Sequence, residues 1–176
     1  SALFRLDTTA YSASSNLFHL LLSRIGEYMN SILVAYATMT GNTSTVAEAM
    51  LEHLGAVLPN VQVKLADLSG LNPVDLLEYD MIILGSSTWD DGDVNQVARE
   101  FLDKLESSKQ DLSKQKFAIF SLGDSFYPDF CKAGDIIKES ITKLEAKVVG
   151  DLHKIDGFPD DTAFEKANAW LDSVLK

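Results

Sequence analysis

The amino-acid sequence predicts an α/β domain in which a doubly wound, five-stranded parallel sheet carries helices on both faces. Three observations lead there. Continuous apolar runs such as Ile32-Leu-Val-Ala-Tyr36 and Met81-Ile-Ile-Leu84 read as strands buried on both sides. Segments with apolar residues at helical spacing alternate with those runs. A chain of 176 residues, 46% of them hydrophobic, is long enough to bury one substantial core.

The first 28 residues read differently from the rest. Their charged residues, Arg5, Asp7, Arg24 and Glu27, cancel, so the whole net charge of −11 lies beyond them. Residues 1–28 are therefore expected to be an N-terminal extension (a tag, a leader or an upstream reading), with a short amphipathic helix possible over Leu17 to Ile25. Met29 is the expected natural start, and residues 29–176 the folded domain.

Ile32 to Tyr36 is the first strand. Thr43 or Ser44 can cap a helix with Val46, Met50 and Leu54 on one stripe and Ala47, Leu51 and Leu58 beside it; Pro59-Asn60 ends that helix. Val61 to Leu65 alternates, as a strand nearer an edge does. Met81 to Leu84 is the third strand, followed by a helix over Asn95 to Glu106 that carries Val97, Phe101, Leu102 and Leu105. Phe117 to Phe120 is the fourth. A helix from Lys132 follows, with Ile136, Ile137, Ile141 and Leu144 apolar. Lys147 to Ile155 holds a short last strand, and the final helix, Thr162 to Leu175, buries Phe164, Ala167, Trp170, Leu171 and Val174.

Composition narrows function. Lys plus Arg number 15 against 26 Asp plus Glu, which argues against nucleic acid, since phosphate-backbone affinity comes from basic side chains. The same charge favours basic protein surfaces, though it serves solubility equally well. No apolar run reaches the roughly 20 residues that span a bilayer, and the N-terminus lacks the pattern of a signal peptide. The single cysteine, Cys131, excludes an internal disulfide and suits a reducing, cytoplasmic setting. No residues have metal-ligand spacing. His53 is expected to be solvated and His153 structural, while His19 belongs to the extension. Cys131 has no adjoining base or cation and is expected to pack rather than react.

In such sheets ligands bind beyond the carboxyl ends of the strands. After the first strand comes Thr38-Met39-Thr40-Gly41-Asn42-Thr43, a loop of hydroxyls and one glycine entering a helix. Helix-terminal N–H groups and neutral donors suit a phosphate. The loop contains no Gly-Lys-Ser/Thr and too few glycines for a dinucleotide fingerprint; taken alone, it is as well explained as an ordinary capped helix start. After the third strand comes Ser87-Thr88-Trp89-Asp90-Asp91-Gly92-Asp93. There Trp89 can wall a flat ligand or fold back on its own helix. After the fourth comes Gly123-Asp124-Ser125-Phe126-Tyr127, with Asp129 and Cys131 beyond, where Tyr127 offers a second wall. Gly123-Asp124-Ser125 also resembles the nucleophile motif of certain lipases, but His153 is the only base in reach and lacks the acidic partner those enzymes place before it.

Together the three loops resemble the flavodoxins over residues 29–176, in the short-chain form. The resemblance implies a strand order of 2-1-3-4-5 and bound FMN, with its phosphate on residues 38–43. It puts Trp89 on the inner face of the flavin, Tyr127 on the outer, and backbone near Asp124, Asp129 and Cys131 at the pyrimidine edge. It further implies a cytoplasmic, monomeric one-electron carrier with no catalytic residues and no metal, serving basic-surfaced redox proteins such as reductase-like donors and electron-accepting enzymes. The acidic flank of Asp90, Asp91, Asp93, Asp124 and Asp129 would destabilise reduced, anionic flavin and so give a low semiquinone/hydroquinone potential. The alternative is an FMN-dependent NAD(P)H or quinone reductase on the same fold. A flavin domain cut from a larger reductase is a third reading, which a chain ending just after its last helix is expected to disfavour.

One residue departs from the family pattern. Asp90 stands where flavodoxins usually have the glycine whose peptide reorients towards the semiquinone, and Asp adopts positive φ less readily than Gly. The semiquinone should accordingly be less stabilised than in Trp-Gly relatives. A spectroscopic redox titration of the protein and of Asp90→Gly checks this: the substitution should raise the maximal semiquinone fraction.

Overall fold

In the computed structural model the described residues are 29–89 and 91–176, so the expectations for residues 1–28 and Asp90 lie outside them. Strands β1 (Ser31–Ala37), β2 (Gln62–Asp67), β3 (Met81–Trp89), β5 (Lys116–Gly123), β6 (Lys147–Val148) and β7 (His153–Asp156) pair in parallel. The order is β2-β1-β3-β5-β6, with β7 also on β5. Counting the split last strand as one gives the expected 2-1-3-4-5. A two-residue strand, β4 (Asp93–Val94), folds back antiparallel on the end of β3.

Helices α1 (Asn42–Val57), α2 (Gln96–Ser108), α3 (Lys132–Lys143) and α4 (Asp161–Val174) follow the predicted stripes. Strand side chains alternate between two cores. Ile32 and Val34 pack with Met50 and Leu54 of α1 and Leu171 of α4, whereas Leu33 and Leu84 pack with Phe101 and Leu102 of α2 and Ile137 of α3. Burial on both faces explains the unbroken apolar runs. The β2–β3 crossover, which shows no helical periodicity, contains 3-10 turns at Leu68–Gly70 and Pro73–Glu78.

Local chemistry shifts three expectations. Helix α1 is capped neither by Thr43 nor by Ser44. Gly41 holds the cap position with φ 91°, which glycine takes without strain, and its carbonyl accepts from Thr45 N–H and from the hydroxyls of Ser44 and Thr45. The last strand breaks between Val148 and His153, where Gly150 turns at φ 70° and the Asp151 carbonyl accepts from the Trp170 indole at 2.8 Å. His53 is only partly solvated: it is half-buried, and its Nε2 lies 2.8 Å from Asp172 Oδ1, linking α1 to α4. His153 is structural, as expected, stacked on Trp170 with ring centroids 5.1 Å apart and its buried Nε2 without a partner.

The sheet centre contains a close approach that only glycine allows. Gly85 pairs with Phe120, and a Cβ there would sit 2.0 Å from the fully buried Phe120 ring. Gly85→Ala should therefore cost about 3 kcal/mol by overpacking. Adding Phe120→Leu should recover part of that loss, which urea denaturation of the single and double variants would reveal as a coupling. Burial, followed by repulsion from Lys166, lowers the pKa of His153 below its usual 6.5. The neutral ring is the folded form, so its stabilisation is complete above about pH 6.5 and is lost as pH falls through the lowered value. His153→Phe, which keeps a stacking ring, should flatten the decline in stability between about pH 7 and pH 5.

Candidate functional site

The carboxyl ends of β1, β3, β5 and β7 open onto one cleft of about 630 Å³. At one end is the start of α1. No side chain caps that helix, so its first-turn N–H groups lack intrahelical partners. Thr43 is 1% exposed, yet its Oγ1 has no hydrogen-bond partner. A buried hydroxyl without a protein partner is costly, and beside helix-terminal amides it suits an anionic acceptor. Thr40 and Asn42 line the cleft with Thr43. Thr38 turns inward on the loop, its Oγ1 accepting from Gly41 N–H at 3.0 Å, and Met39 projects from the rim, 65% exposed. The donor set is neutral: among the described residues no lysine or arginine lines the cleft.

Ser87, Thr88 and Trp89 form a second side at the end of β3. The indole N–H of Trp89 donates to Ser87 Oγ, and Thr88 Oγ1 accepts from Ala133 N–H at 3.2 Å, so both side chains are held from behind. The chain then turns, Gly92 N–H donating to the Trp89 carbonyl at 3.2 Å, with Gly92 at φ 90°. A Cβ on Gly92 would lie 2.7 Å from Asp129 Cβ, so this turn is packed against the next loop. Asp91 is exposed, and neither it nor Gly92 lines the cleft.

The third side is the loop from β5 to α3. Gly123, Asp124, Tyr127 and Asp129 all line the cleft. Tyr127 is 63% exposed and meets Phe126 edge-on, with centroids 5.7 Å apart. Cys131 lies beneath. It is fully buried, its Sγ–H donates to the Ser121 carbonyl at 3.1 Å, and burial pushes the thiol up to about 11. It packs, as expected. Ser125 gives both its amide and its hydroxyl to Asp156, at 2.8 and 2.6 Å, whereas His153 stacks on Trp170. That arrangement is not a nucleophile with its base.

Leu122, Phe130, Gly157 and Phe158 also line the cleft and were not singled out from the sequence. Leu122 and Phe130 are indistinguishable from core residues by pattern. Gly157 and Phe158 follow the last strand, and the rule that ligands sit beyond strand ends applies to that loop as well. The acidic flank is also less uniform than expected. Arg99 pairs with Asp93 and holds its carboxyl below the usual range, and Lys132 Nζ lies 3.1 Å from Asp129. Asp91, Asp124 and, from the fourth loop, Asp156 are exposed, and of these Asp124 lines the cleft. Among the described residues no cluster is placed to hold a metal ion, and no helix is long and apolar enough to cross a membrane.

The sequence pattern described as Flavodoxin matches residues 34–170. A flavodoxin of Maridesulfovibrio salexigens is 36% identical over 136 residues, which are 75% of this chain and 90% of that protein. Oxidised Flavodoxin 2 from Bacillus cereus superposes with a TM-score of 0.75 at 37% identity, covering 82% of this chain and 97% of that one. The sulfite reductase [NADPH] flavoprotein alpha-component of Neisseria meningitidis serogroup B is 34% identical over 146 residues, 82% of this chain but only 23% of that protein. The likeness to the reductase is thus confined to one part of it, whereas the likeness to the flavodoxins runs over nearly their whole length. From the matched span and these likenesses, the chain belongs to the flavodoxin family, the FMN-binding proteins that transfer electrons between redox partners rather than act as enzymes.

Proposed function

We propose that the cleft holds FMN as a low-potential carrier group, and that the unpartnered Thr43 hydroxyl at the uncapped start of α1 is the observation that carries the reading. The phosphate would take the first-turn amides of α1 and the side chains of Thr38, Thr40, Asn42 and Thr43, with Met39 and Gly41 shaping the loop. Trp89 and Tyr127 would flank the ring. Ser87, Thr88, Asp90, Asp91 and Gly92 would frame the inner side, and backbone near Gly123, Asp124, Asp129 and Cys131 would meet the polar edge. Bound FMN supplies a group that takes up and releases electrons one at a time.

The chain's own contribution is grip and electrostatics. Neutral donors and the helix dipole hold a dianion without a counter-cation, which suits a cofactor that stays in place. Trp89 and Tyr127 exclude water from the ring faces. With Asp124 and Asp129 lining the cleft and, among the described residues, no lysine or arginine doing so, added negative charge there is disfavoured, so an electron is readily passed on. The same carboxylates favour basic-surfaced donors and acceptors. Residues 29–176 are taken as the working unit, monomeric and cytoplasmic, with 1–28 as an extension to it.

Stripping the flavin and titrating the apoprotein with FMN, by fluorescence quenching, tests the site. One FMN per chain is expected. Thr43→Val should weaken FMN about ten- to a hundredfold, the worth of a hydrogen bond to a charged group, while leaving riboflavin affinity and apoprotein stability intact. Equal losses for FMN and riboflavin would remove the phosphate assignment. Reduction of the loaded protein by NADH alone would instead favour a reductase.

A further inference from the structure

The β5–α3 and β7–α4 loops are fastened to each other at the mouth of the cleft. Asp156 takes both the amide and the hydroxyl of Ser125, and those hydrogen bonds hold its carboxyl below the usual range. Next to that tie, Gly157 N–H donates to the Gly123 carbonyl at 2.8 Å. The residues that follow the two halves of the clamp are Phe126 and Phe158. They are 88% and 79% exposed, the two most exposed large hydrophobic side chains among the described residues. Tyr127 meets Phe126 edge-on, and it lines the cleft as Phe158 does. Neither phenylalanine joins either core. Aromatic surface left in water on fixed backbone marks an interaction site, because little ordering entropy is lost when a partner covers it.

We propose that Phe126 and Phe158 anchor a docking surface for a redox protein whose contact face has an apolar centre ringed by lysine or arginine. The proposal rests on the carrier reading and adds to it the side of approach. The anchors stand beyond β5 and β7, at the far side of the cleft from the phosphate loop after β1, so the partner covers the outer, Tyr127 side. Charge selects the occupant. Asp124, Asp156, Asp160 and Asp161 are exposed on these two loops and at the start of α4, and no lysine or arginine occurs in residues 123–130 or 156–161. A second copy of the chain would set these carboxylates against one another, and an anionic bilayer would repel them. A basic ring is both attracted and oriented by them.

The test uses the FMN-loaded protein, reduced anaerobically and mixed with cytochrome c as the basic haem-protein probe. The second-order rate constant of electron delivery is followed over a range of salt. Phe126→Ser should lower it by about fivefold, and Phe126→Ser with Phe158→Ser by about tenfold or more, as loss of central aromatic anchors does. The deficit should persist in high salt, where steering by the carboxylates is screened. FMN affinity of the Phe126→Ser apoprotein, which has lost no cleft-lining side chain, should match the parent. Rate constants of both variants within about twofold of the parent overturn the proposal. So does a Phe126→Ser protein that loses FMN in proportion to its rate, because the aromatic group would then serve the cofactor. Failure of the parent apoprotein to take up FMN would count against the carrier reading itself.

Discussion

Everything at the functional end depends on the pairing of β1 with β3, which runs in register from Ile32 opposite Met81 to Ala37 opposite Ser86. Both strands are buried on both faces, so apolar side chains fill the ladder as far as Ser86, whose buried hydroxyl donates to the Ser87 carbonyl. The chain then leaves β1 towards one face of the sheet and β3 towards the other. A crevice opens where the connections diverge, and Thr40, just past β1, and Ser87, on β3, line it from two sides. This is the switch point at which flavodoxins place their FMN. The hydrophobic demand of the sheet interior thus fixes where the polar chemistry must begin.

The crevice combines two electrostatic elements of opposite sense. Deep in it, the start of α1 presents amide dipoles and a buried hydroxyl, which attract an anion without formal charge. Around it, carboxylates predominate, with Arg99 and Lys132 each taken up by one of them. A dipolar pocket inside an acidic rim suits the proposed phosphate while disfavouring further negative charge at the proposed ring site. A lysine in the loop would have made the first task easier and defeated the second.

Much of this was legible in the sequence, and the reasons differ by element. Met81 to Leu84 and Phe117 to Phe120 announce themselves because burial on two faces leaves no room for alternation. The stripes of α2 and α3 follow from burial on one face. The three loops are readable because Thr, Trp and Tyr among turn residues have no core to fill. What escaped is set by contacts distant in sequence. The break in the last strand goes with the turn at Gly150 and the Trp170 indole, the pairing of His53 with Asp172 on another helix, and the cap of α1 with the φ of Gly41. Strand β4 exists only because Trp89 and Asp93 pair across a turn. Phe158 resembled any surface phenylalanine until β7 brought its loop beside the β5–α3 loop.

The state of Cys131 has a consequence for how long such a molecule lasts. A reduced flavin meeting dioxygen makes peroxide, and a nearby thiolate is what peroxide attacks first, beginning the oxidation ladder through sulfenic acid. Here the chain's single thiol lies under the loop that lines the cleft, neutral, buried and donating to the Ser121 carbonyl. Its reactive form is suppressed at any physiological pH. Packing thus shields this thiol from peroxide, whereas the Met39 thioether, 65% exposed, stays open to it.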